Sequence, residues 1–521
     1  MSASREKQTR QELEESGITD PKTELEAQQA QKEKRSNILY AVIGVVFVLA
    51  LMVCLVWRSN IIPKKATALT IDGEKYTAAE VSFYYWNTYN GFLNNYSYLV
   101  SYMGLDTTAS PDEQVMNETA AGMLGVEEGT TWGDYFMDQT EQQMAAIQNV
   151  LKMAANEGFA YTESVQAQHD GTLESLNTTA AANGVNLPVY LQNAYGALMT
   201  EKVFSEQLMR VAQYSDYISA YYNGLEFSED EITAAYEAAP SSYDRVAYQS
   251  VAIKGTASAT TDANGNTVEP TEAEQAAAKA AAKAAAKKLL ADYKAGGNLE
   301  ALANSIDNAT YSSNDEATAF TSDLGLWLFD EARKDGEATI IDGDTTYYVA
   351  VFGERFRRED NTMDVRHILI KPEAGQLTSE DEGYEEEAAQ LQAAAKAKAD
   401  ALLEEWKAGE ATEESFAALA EANTEDTGSM YTGGLYENVY RGQMVQEFED
   451  WCFDASRKTG DTGVVETPYG AHVMYFVQEN VPMWQFEVLS NLKNTAYNEW
   501  MATLPGESVI TASDFGMQFV G

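Results

Sequence analysis

The apolar residues of this chain recur with helical spacing in some segments and occupy every second position in others, which indicates both helices and strands. One run follows neither pattern: residues 38–57, ILYAVIGVVFVLALMVCLVW, contain no charged residue. A helix rises about 1.5 Å per residue, so a run of this length crosses a hydrocarbon core of about 30 Å. The pattern therefore predicts one transmembrane helix at 38–57.

Residues 1–37 are charged and polar and lack apolar periodicity, so we expect a mostly disordered tail. The apolar run is longer than that of a typical cleaved signal peptide, and WRSNIIPKK, which follows it, offers no clear cleavage site. Cys54 lies inside the run and follows Met52 and Val53 rather than small residues, which argues against a lipid-modified cysteine. Because basic residues flank both ends of the run, local charge leaves its orientation open.

The segment after the membrane helix is predicted to be mainly helical. It opens with a short hairpin that turns at Asp72-Gly73, followed by a helix with a capping box formed by Thr77 and Glu80. Aromatic residues then recur at helical spacing: Tyr85, Tyr89, Phe92 and Tyr96. Such a stripe fits burial between helices, and it also fits an apolar surface for unfolded polypeptides. A turn near Ala239-Pro240-Ser241 ends this helical region.

An internal repeat follows. The segment VAYQSVAIKG, from Val246, matches MDVRHILIKP, from Met363. In the same order, LLADYKAG matches LLEEWKAG, and WLFDEARKDG matches WCFDASRKTG. Each copy reads as a strand, a long helix rich in Ala, Lys and Glu, a second helix and a closing strand. The repeat therefore predicts two small α+β domains in tandem.

Composition narrows the class of function. Lys and Arg number 35 against 81 Asp and Glu, a formal charge of -46, so nucleic acid and anionic lipid headgroups are poor partners. The two cysteines, Cys54 and Cys452, cannot form an intramolecular disulfide framework. We expect Cys452, between Trp451 and Phe453, to be a small core residue.

The second copy carries three motifs with chemical content: RHILIK at 366–371, TGGLYENVYRGQMVQEFEDWCF from Thr432, and TPYGAH at 467–472. This set resembles the parvulin family of peptidyl-prolyl isomerases. The wider layout resembles the extracytoplasmic foldases of the PrsA and SurA type. Because the loop after RHILIK, PEAGQLTSEDEGYEEE, is acidic, specificity for phosphoserine before proline is not expected.

The resemblance implies a site made of two groups of residues. The implied catalytic network consists of His367, Asp426, His472 and Thr467. The implied proline pocket consists of Leu435, Met444 and Phe448. The family usually reads Gly-Gly-Asp-Leu-Gly where this chain has Gly433, Gly434, Leu435, Tyr436 and Glu437, so Tyr436 is the alternative to Leu435 as a pocket residue.

No metal or cofactor is expected at this site. The histidines lack the close spacing of zinc ligands, and the chain has no Gly-x-Ser-x-Gly hydrolase motif. The first copy has Ser250 in the place of His367 and Tyr348 in the place of His472, so its catalytic network is lost. It is predicted to be a spacer or a module that binds client polypeptides.

The expected protein is therefore an α+β multidomain chain with a single N-terminal transmembrane helix. Its predicted segments are a cytoplasmic disordered tail at 1–37, the transmembrane helix at 38–57, a helical chaperone-like domain of the SurA N-terminal type at 58–240, a degenerate parvulin-like domain at 241–358, a parvulin isomerase domain at 363–479, and a C-terminal helix at 480–521 that returns to the chaperone-like domain.

The resemblance also implies a function and a location. It implies a prolyl isomerase and chaperone that assists the folding of exported proteins at the outer face of a cell membrane, with the N-terminus in the cytoplasm. The expected partners are unfolded or partly folded exported polypeptides with X-Pro bonds, and the membrane through one helix. The alternative is a non-catalytic holdase that uses the parvulin fold as a binding surface.

Overall fold

The computed structural model describes residues 5, 7–8, 11–12, 15–17, 21–58, 60–262 and 265–521. These residues form two compact units. The first unit is Met1–Gly224 with Asn498–Gly521, and the second is Leu225–Tyr497. The chain thus leaves the first unit and returns to it near the C-terminal end.

The N-terminal helix is longer than the apolar run. Helix α1 spans Pro21–Arg58. Among the described residues, one stretch is long and apolar enough to cross a membrane, Lys32–Met52 within α1. The expectation of a disordered segment is wrong for residues 21–37, because proline opens a helix well and the following Glu, Ala, Gln and Lys favour one. Most of the predicted tail at 1–20 lies outside the described residues.

The rest of the first unit combines a small sheet with a group of helices. Its elements are α2 (Ile61–Lys65), β1 (Thr67–Ile71), β2 (Glu74–Thr77), α3 (Ala78–Asn95), α4 (Glu118–Leu124), α5 (Trp132–Glu157), α6 (Glu163–Ala182), α7 (Leu187–Tyr195) and α8 (Glu201–Asn223). The hairpin and the capping box of Thr77 and Glu80 are confirmed. Tyr85 and Tyr89 of α3 are buried against Phe136 of α5, which confirms burial between helices for these positions.

The C-terminal segment contributes to the first unit. Strand β13 (Ile510–Ala512) pairs with β1 in a three-stranded sheet of order β13-β1-β2, and a short helix, α17, spans Asp514–Met517. Leu504 is buried with Val150 and Tyr217. In the same unit, His169 of α6 lies 2.8 Å from Ser205 Oγ of α8, and its other nitrogen contacts Asp170.

The second unit contains two four-stranded antiparallel sheets. The first part consists of α9 (Glu229–Ala238), β3 (Arg245–Lys254), β4 (Thr260–Thr261), β5 (Thr267–Val268), α10 (Glu272–Lys294), α11 (Leu299–Ala303), β6 (Ala309–Ala317), α12 (Asp323–Leu328), β7 (Ala338–Asp342) and β8 (Thr346–Phe356). The second part consists of β9 (Asn361–Ile370), α13 (Tyr384–Ala408), α14 (Glu413–Asn423), β10 (Leu435–Val439), α15 (Gln446–Cys452), β11 (Thr462–Thr467) and β12 (Gly470–Pro482). Helix α16 (Met483–Thr503) begins in the second unit and ends in the first.

The two sheets share one strand order. The first is β6-β3-β8-β7 and the second is β10-β9-β12-β11, so each places its second, first, fourth and third strands side by side. In the second sheet, helices α13 and α14 cover the face that carries Ile368 and Val473. Helix α15 covers the opposite face through Phe448 and Cys452, together with Val365 and other residues. The candidate site lies on this second face.

Candidate active site

The two histidines of the second sheet lie on neighbouring strands. In the antiparallel pair of β9 and β12, His367 is opposite Met474 and His472 is opposite Leu369. The histidines are therefore diagonal neighbours on one face of the sheet. Their rings are nearly parallel, with centroids 5.2 Å apart, and their Nδ1 atoms are 3.0 Å apart. Both residues are buried, at 2% and 6% exposure.

Asp426 follows helix α14 and approaches the far side of His367. Its Oδ2 atom lies 3.1 Å from His367 Nε2 and accepts hydrogen bonds from the hydroxyls of Ser429, at 2.5 Å, and Tyr436, at 2.8 Å. The Gly428 N–H donates to Oδ1, which closes a turn around the carboxylate. The sequence interpretation missed Ser429, although its position three residues after a turn-forming aspartate is a recognisable signal.

Thr467 completes the network at the other end. Thr467 is the last residue of β11, just before the turn into β12, and its hydroxyl is 2.9 Å from His472 Nε2. An ionised carboxylate only accepts, so in a chain of neutral rings His367 donates from Nε2 to Asp426. His367 Nδ1 then accepts from His472 Nδ1–H, and His472 Nε2 accepts from Thr467. The Asp426 carboxylate therefore fixes which group donates and which accepts in every hydrogen bond of this network.

The charge states agree with this direction. The hydrogen bond from His367 holds the pKa of Asp426 well below its usual range. Burial raises this pKa, and the hydrogen bonds from Ser429 and Tyr436 lower it further. Burial, and to a lesser extent the neighbouring imidazole of His367, lowers the pKa of His472 to about 3. Burial and the bond to Asp426 raise the pKa of the Tyr436 hydroxyl. The network at neutral pH thus holds an ionised Asp426, a neutral His472 and a protonated Tyr436.

Apolar side chains cover the histidine pair. Phe448 of α15 is 3% exposed and meets both imidazole rings edge to face, with centroids 5.5 and 5.4 Å away. Met444, in the loop before α15, is partly buried in the same cluster. Cys452 is fully buried here and burial raises its pKa to about 12, as befits an unreactive core thiol. The face therefore combines an aromatic and aliphatic surface with a polar network beneath it.

The structure corrects one pocket residue. Leu435 pairs with Arg366 and Tyr436 pairs with Val365, so the two neighbours point to opposite faces of the sheet. The ring of Tyr436 lies 4.6 Å from that of His367, whereas Leu435 shares the face that α13 and α14 cover. Leu435 therefore lies on the opposite face from the histidines, and the alternative, Tyr436, lies beside them.

A double-glycine turn sets the register of this strand. Gly433 and Gly434 have φ of +64° and +73°, and the His367 N–H donates to the Gly434 carbonyl at 2.8 Å. A Cβ atom on Gly434 would lie 2.2 Å from the His367 carbonyl oxygen. From the other face, the Arg366 guanidinium donates to the carbonyls of Thr432 and Gly433. Only glycine permits this close approach, which positions both Tyr436 and the histidine strand.

The first sheet offers an internal comparison. Ser250 is opposite Ala350 and Tyr348 is opposite Ala252, a register that matches His367 opposite Met474 and His472 opposite Leu369. Ser250 and Tyr348 thus occupy the positions of the two imidazoles. The corresponding face of this sheet packs apolar side chains of Val246, Leu328 and Phe352. It retains the scaffold without the histidine network.

Comparisons with known proteins bear on the second sheet. A family model described as the PPIC-type PPIASE domain matches residues 352–480. The chaperone SurA of Alkalilimnicola ehrlichii is 35% identical over 109 residues, which are 21% of this chain and 21% of that protein. The chain thus spans about a fifth of the length of this curated relative.

Two solved structures, each of a PrsA protein, have lower sequence identity to this chain. PrsA from Bacillus subtilis is 14% identical, with a TM-score of 0.25, over 76% of this chain and 93% of that chain. PrsA from Bacillus anthracis is 19% identical, with a TM-score of 0.18, over 31% of this chain and 58% of that chain.

Proposed function

We propose that this chain, whose residues 352–480 form a PPIC-type peptidyl-prolyl isomerase domain of the PrsA and SurA type, catalyses cis–trans isomerisation of X-Pro bonds in unfolded polypeptides. The observation that carries the proposal is the hydrogen-bonded chain Thr467–His472–His367–Asp426 beneath the apolar surface of Phe448. The neighbouring sheet lacks both imidazoles, so the proposed activity belongs to the second sheet alone.

The chemistry needs a shaped surface rather than a nucleophile. Amide resonance gives an X-Pro bond a barrier of about 18–20 kcal/mol, and resonance is lost when the bond twists. An enzyme accelerates the rotation by binding the twisted amide better than either planar form. Phe448 and Met444 offer an apolar surface for the proline ring, where little water reaches the amide carbonyl.

The polar network gives this surface a fixed shape and a fixed dipole. A neutral His472 carries no charge that would need solvent, and the ionised Asp426 accepts from His367, Ser429 and Tyr436 at Oδ2 and from the Gly428 N–H at Oδ1. Such a preorganised environment needs little rearrangement as the amide rotates. The proposed roles are therefore substrate binding for Met444, Phe448 and Tyr436, and positioning and polarisation for the histidine network.

The test is refolding of a substrate protein whose slow phase is limited by prolyl isomerisation. We expect the full chain in detergent to accelerate that phase, and His472→Ala and Met444→Ala to lose most of the acceleration. Leu435→Ala is the matched control, since Leu435 lies on the opposite face and should leave the rate unchanged when the domain is folded. A wild-type chain that leaves the slow phase unaltered would falsify the proposal.

We further propose a membrane-anchored, extracytoplasmic arrangement. The apolar stretch within α1 supports one membrane anchor. The PPIC-type domain and the similarity to the chaperone SurA support the outer face of a cell membrane, with residues 1–37 in the cytoplasm and residues 58–521 outside. Protease treatment of intact cells tests this topology: digestion of the isomerase domain is expected, and its protection would reverse the assignment.

The remaining domains complete the proposed foldase. Residues 58–240 with 480–521 form the proposed chaperone-like domain. The grouping of Asn498–Gly521 with the first unit supports it, while residues 225–240 and 480–497 group with the second unit. Residues 241–358 form the proposed degenerate parvulin-like domain, supported by its matching strand order and register. Suppression of client aggregation without acceleration of refolding would favour the alternative, a holdase in which the parvulin fold only binds.

A further inference from the structure

A cavity of about 620 Å³ lies within the first unit, far along the chain from the isomerase motifs. Helix α3 supplies three aromatic residues to its wall: Tyr85, Trp86 and Tyr89. The indole of Trp86 meets both tyrosine rings edge to face, with centroids 5.5 and 5.3 Å away. Aromatic faces of this kind attract cations through their electron-rich centres.

Two carboxylates, Asp112 and Asp134, line the same cavity. Both residues are exposed, and among the described residues no basic side chain forms an ion pair with either. None of the residues that line the cavity is Lys, Arg or His. Burial raises the pKa of Tyr85, and the negative charges of Asp112 and Asp134 raise it further, so the carboxylates act on the interior of the cavity.

A hydrogen-bond donor in the wall also lacks an acceptor. The Nε1 atom of Trp86 is buried and has no partner among the described residues. A buried N–H without an acceptor is unfavourable, so a bound polypeptide that rearranges the wall around Trp86 and brings a carbonyl oxygen to this atom would gain from the contact. This observation is independent of the two carboxylates.

The loop before Pro111 also lines the cavity, and hydrogen bonds hold its conformation. The side-chain amide of Gln114 donates to the carbonyls of Asp106, Ala109 and Ser110 at 2.9, 3.1 and 3.1 Å, which holds the loop before Pro111 in place. A Cβ atom on Gly133 would lie 2.0 Å from Asp112 Oδ1, so glycine at this position lets the carboxylate approach the start of α5. Binding would therefore need little ordering of this loop.

We propose that this cavity binds the cationic side chain of an arginine or lysine in an unfolded polypeptide, an inference that rests on the proposed function. The rings of Tyr85, Trp86 and Tyr89 face the cation, and Asp112 and Asp134 neutralise it. The main chain of the polypeptide presents a carbonyl to the Trp86 N–H. A bare metal ion fits less well, because hard cations prefer six or more oxygen ligands and three aromatic side chains occupy this wall.

The test uses the full chain in detergent and a short blocked glycine–serine peptide with one arginine. Binding is measured by titration calorimetry, and isomerase activity is measured in parallel. We expect saturable binding that weakens about fivefold with Asp112→Asn or Asp134→Asn, because each change removes a partly screened attraction. Asp138→Asn, one turn along α5 from Asp134 and outside the cavity wall, is the matched control and should leave binding unchanged.

A second peptide carries citrulline, which keeps the shape of arginine without its charge. Equal binding of the two peptides, or unchanged affinity in both cavity variants, overturns the proposal. Free argininamide that binds as tightly as the peptide also overturns it, because the occupant would then be a small cation rather than a polypeptide. Isomerase activity should be the same in all variants, so a failure of the cavity proposal is distinguishable from a failure of the proposed activity.

Discussion

His367 and His472 face each other through their Nδ1 atoms at 3.0 Å, so one ring must donate and the other must accept. Neither ring decides this by itself. The two ends of the hydrogen-bond network determine which ring donates, because Asp426 can only accept and Thr467 has a hydroxyl to donate. The tautomers of two buried histidines therefore depend on a carboxylate that one of them does not touch.

Asp426→Asn should disturb this order, because an amide can donate as well as accept. We expect kcat/KM to fall about tenfold, the effect of losing a charge-assisted hydrogen bond. Nitrogen NMR of the imidazoles should show His472 protonated at Nδ1 in the wild type and a mixture of tautomers in the variant.

Glu425→Gln is the matched control for that change, because Glu425 is the neighbouring carboxylate and accepts from the Lys371 N–H rather than from a histidine. It should leave the imidazole spectrum and kcat/KM near their wild-type values. A normal spectrum in Asp426→Asn would contradict the proposed direction of the chain.

Tyr436→Phe separates the hydroxyl of this residue from its ring. The ring lies against His367 and the hydroxyl donates to Asp426 Oδ2 at 2.8 Å, so the variant loses one of the three donors to that oxygen and keeps the apolar surface. We expect kcat/KM to fall about threefold to fivefold, with a smaller change in stability of about 1 kcal/mol. Proline-peptide kinetics and denaturant unfolding give the two numbers.

Tyr436→Ala should cost more activity than Tyr436→Phe, since it also removes the ring. Leu435→Ala should reduce stability without changing kcat/KM. If Leu435→Ala impaired kcat/KM while Tyr436→Ala did not, the assignment of faces in β10 would be wrong.

Much of the fold could be predicted from the sequence because the signals were repeated. The α+β class is confirmed, and the matching segments from Val246 and Met363 became central strands of two sheets with one strand order. A repeated motif carries its own check, since an error of register would have to occur twice. The helix that opens at Pro21 shows the opposite case: a charged sequence without apolar periodicity still forms a helix through residue propensity.

The candidate site was harder to predict at positions that depend on local geometry. Leu435 and Tyr436 differ by one residue, and one residue decides the face of a strand. The deciding fact is the pairing of Tyr436 with Val365, which follows from the Gly433-Gly434 turn rather than from hydrophobicity. Ser429 enters the network through a turn around Asp426, and its spacing of three residues from that aspartate is the one sequence signal for the contact.

The histidine pair should make the domain sensitive to acid. The pKa of His472 is about 3 in the folded protein against 6.5 ordinarily, so below pH 6.5 the unfolded chain binds a proton that the folded chain does not. Stability is therefore fully present above pH 6.5 and is lost as the pH falls towards 3, by about 1.4 kcal/mol per unit for this one group. Denaturant unfolding at several pH values measures the slope.

His472→Gln should flatten that slope between pH 6 and 4, because its amide does not titrate, although its stability at pH 7 will be lower. The depressed pKa of Asp426 acts in the same direction at lower pH, where stability present above its ordinary pKa of 3.8 is lost on protonation. A slope that is equally steep in wild type and His472→Gln would assign the acid sensitivity to other groups.

Gly442 and Gly434 have similar φ angles but different surroundings. Substituting each by alanine therefore separates the cost of backbone strain from the cost of a steric clash. Gly442 has φ of +85° and open space around its Cβ position, so Gly442→Ala should cost only the backbone term, about 1 kcal/mol. Gly434 has a similar φ of +73°, but its Cβ would collide with the His367 carbonyl, so Gly434→Ala should cost about 3 kcal/mol or more. Urea unfolding of the two variants measures the difference. Because the His367 N–H donates to the Gly434 carbonyl, kcat/KM should fall in Gly434→Ala and not in Gly442→Ala. Equal losses of stability in the two variants would show that a Cβ atom at position 434 does not clash with the strand that carries His367.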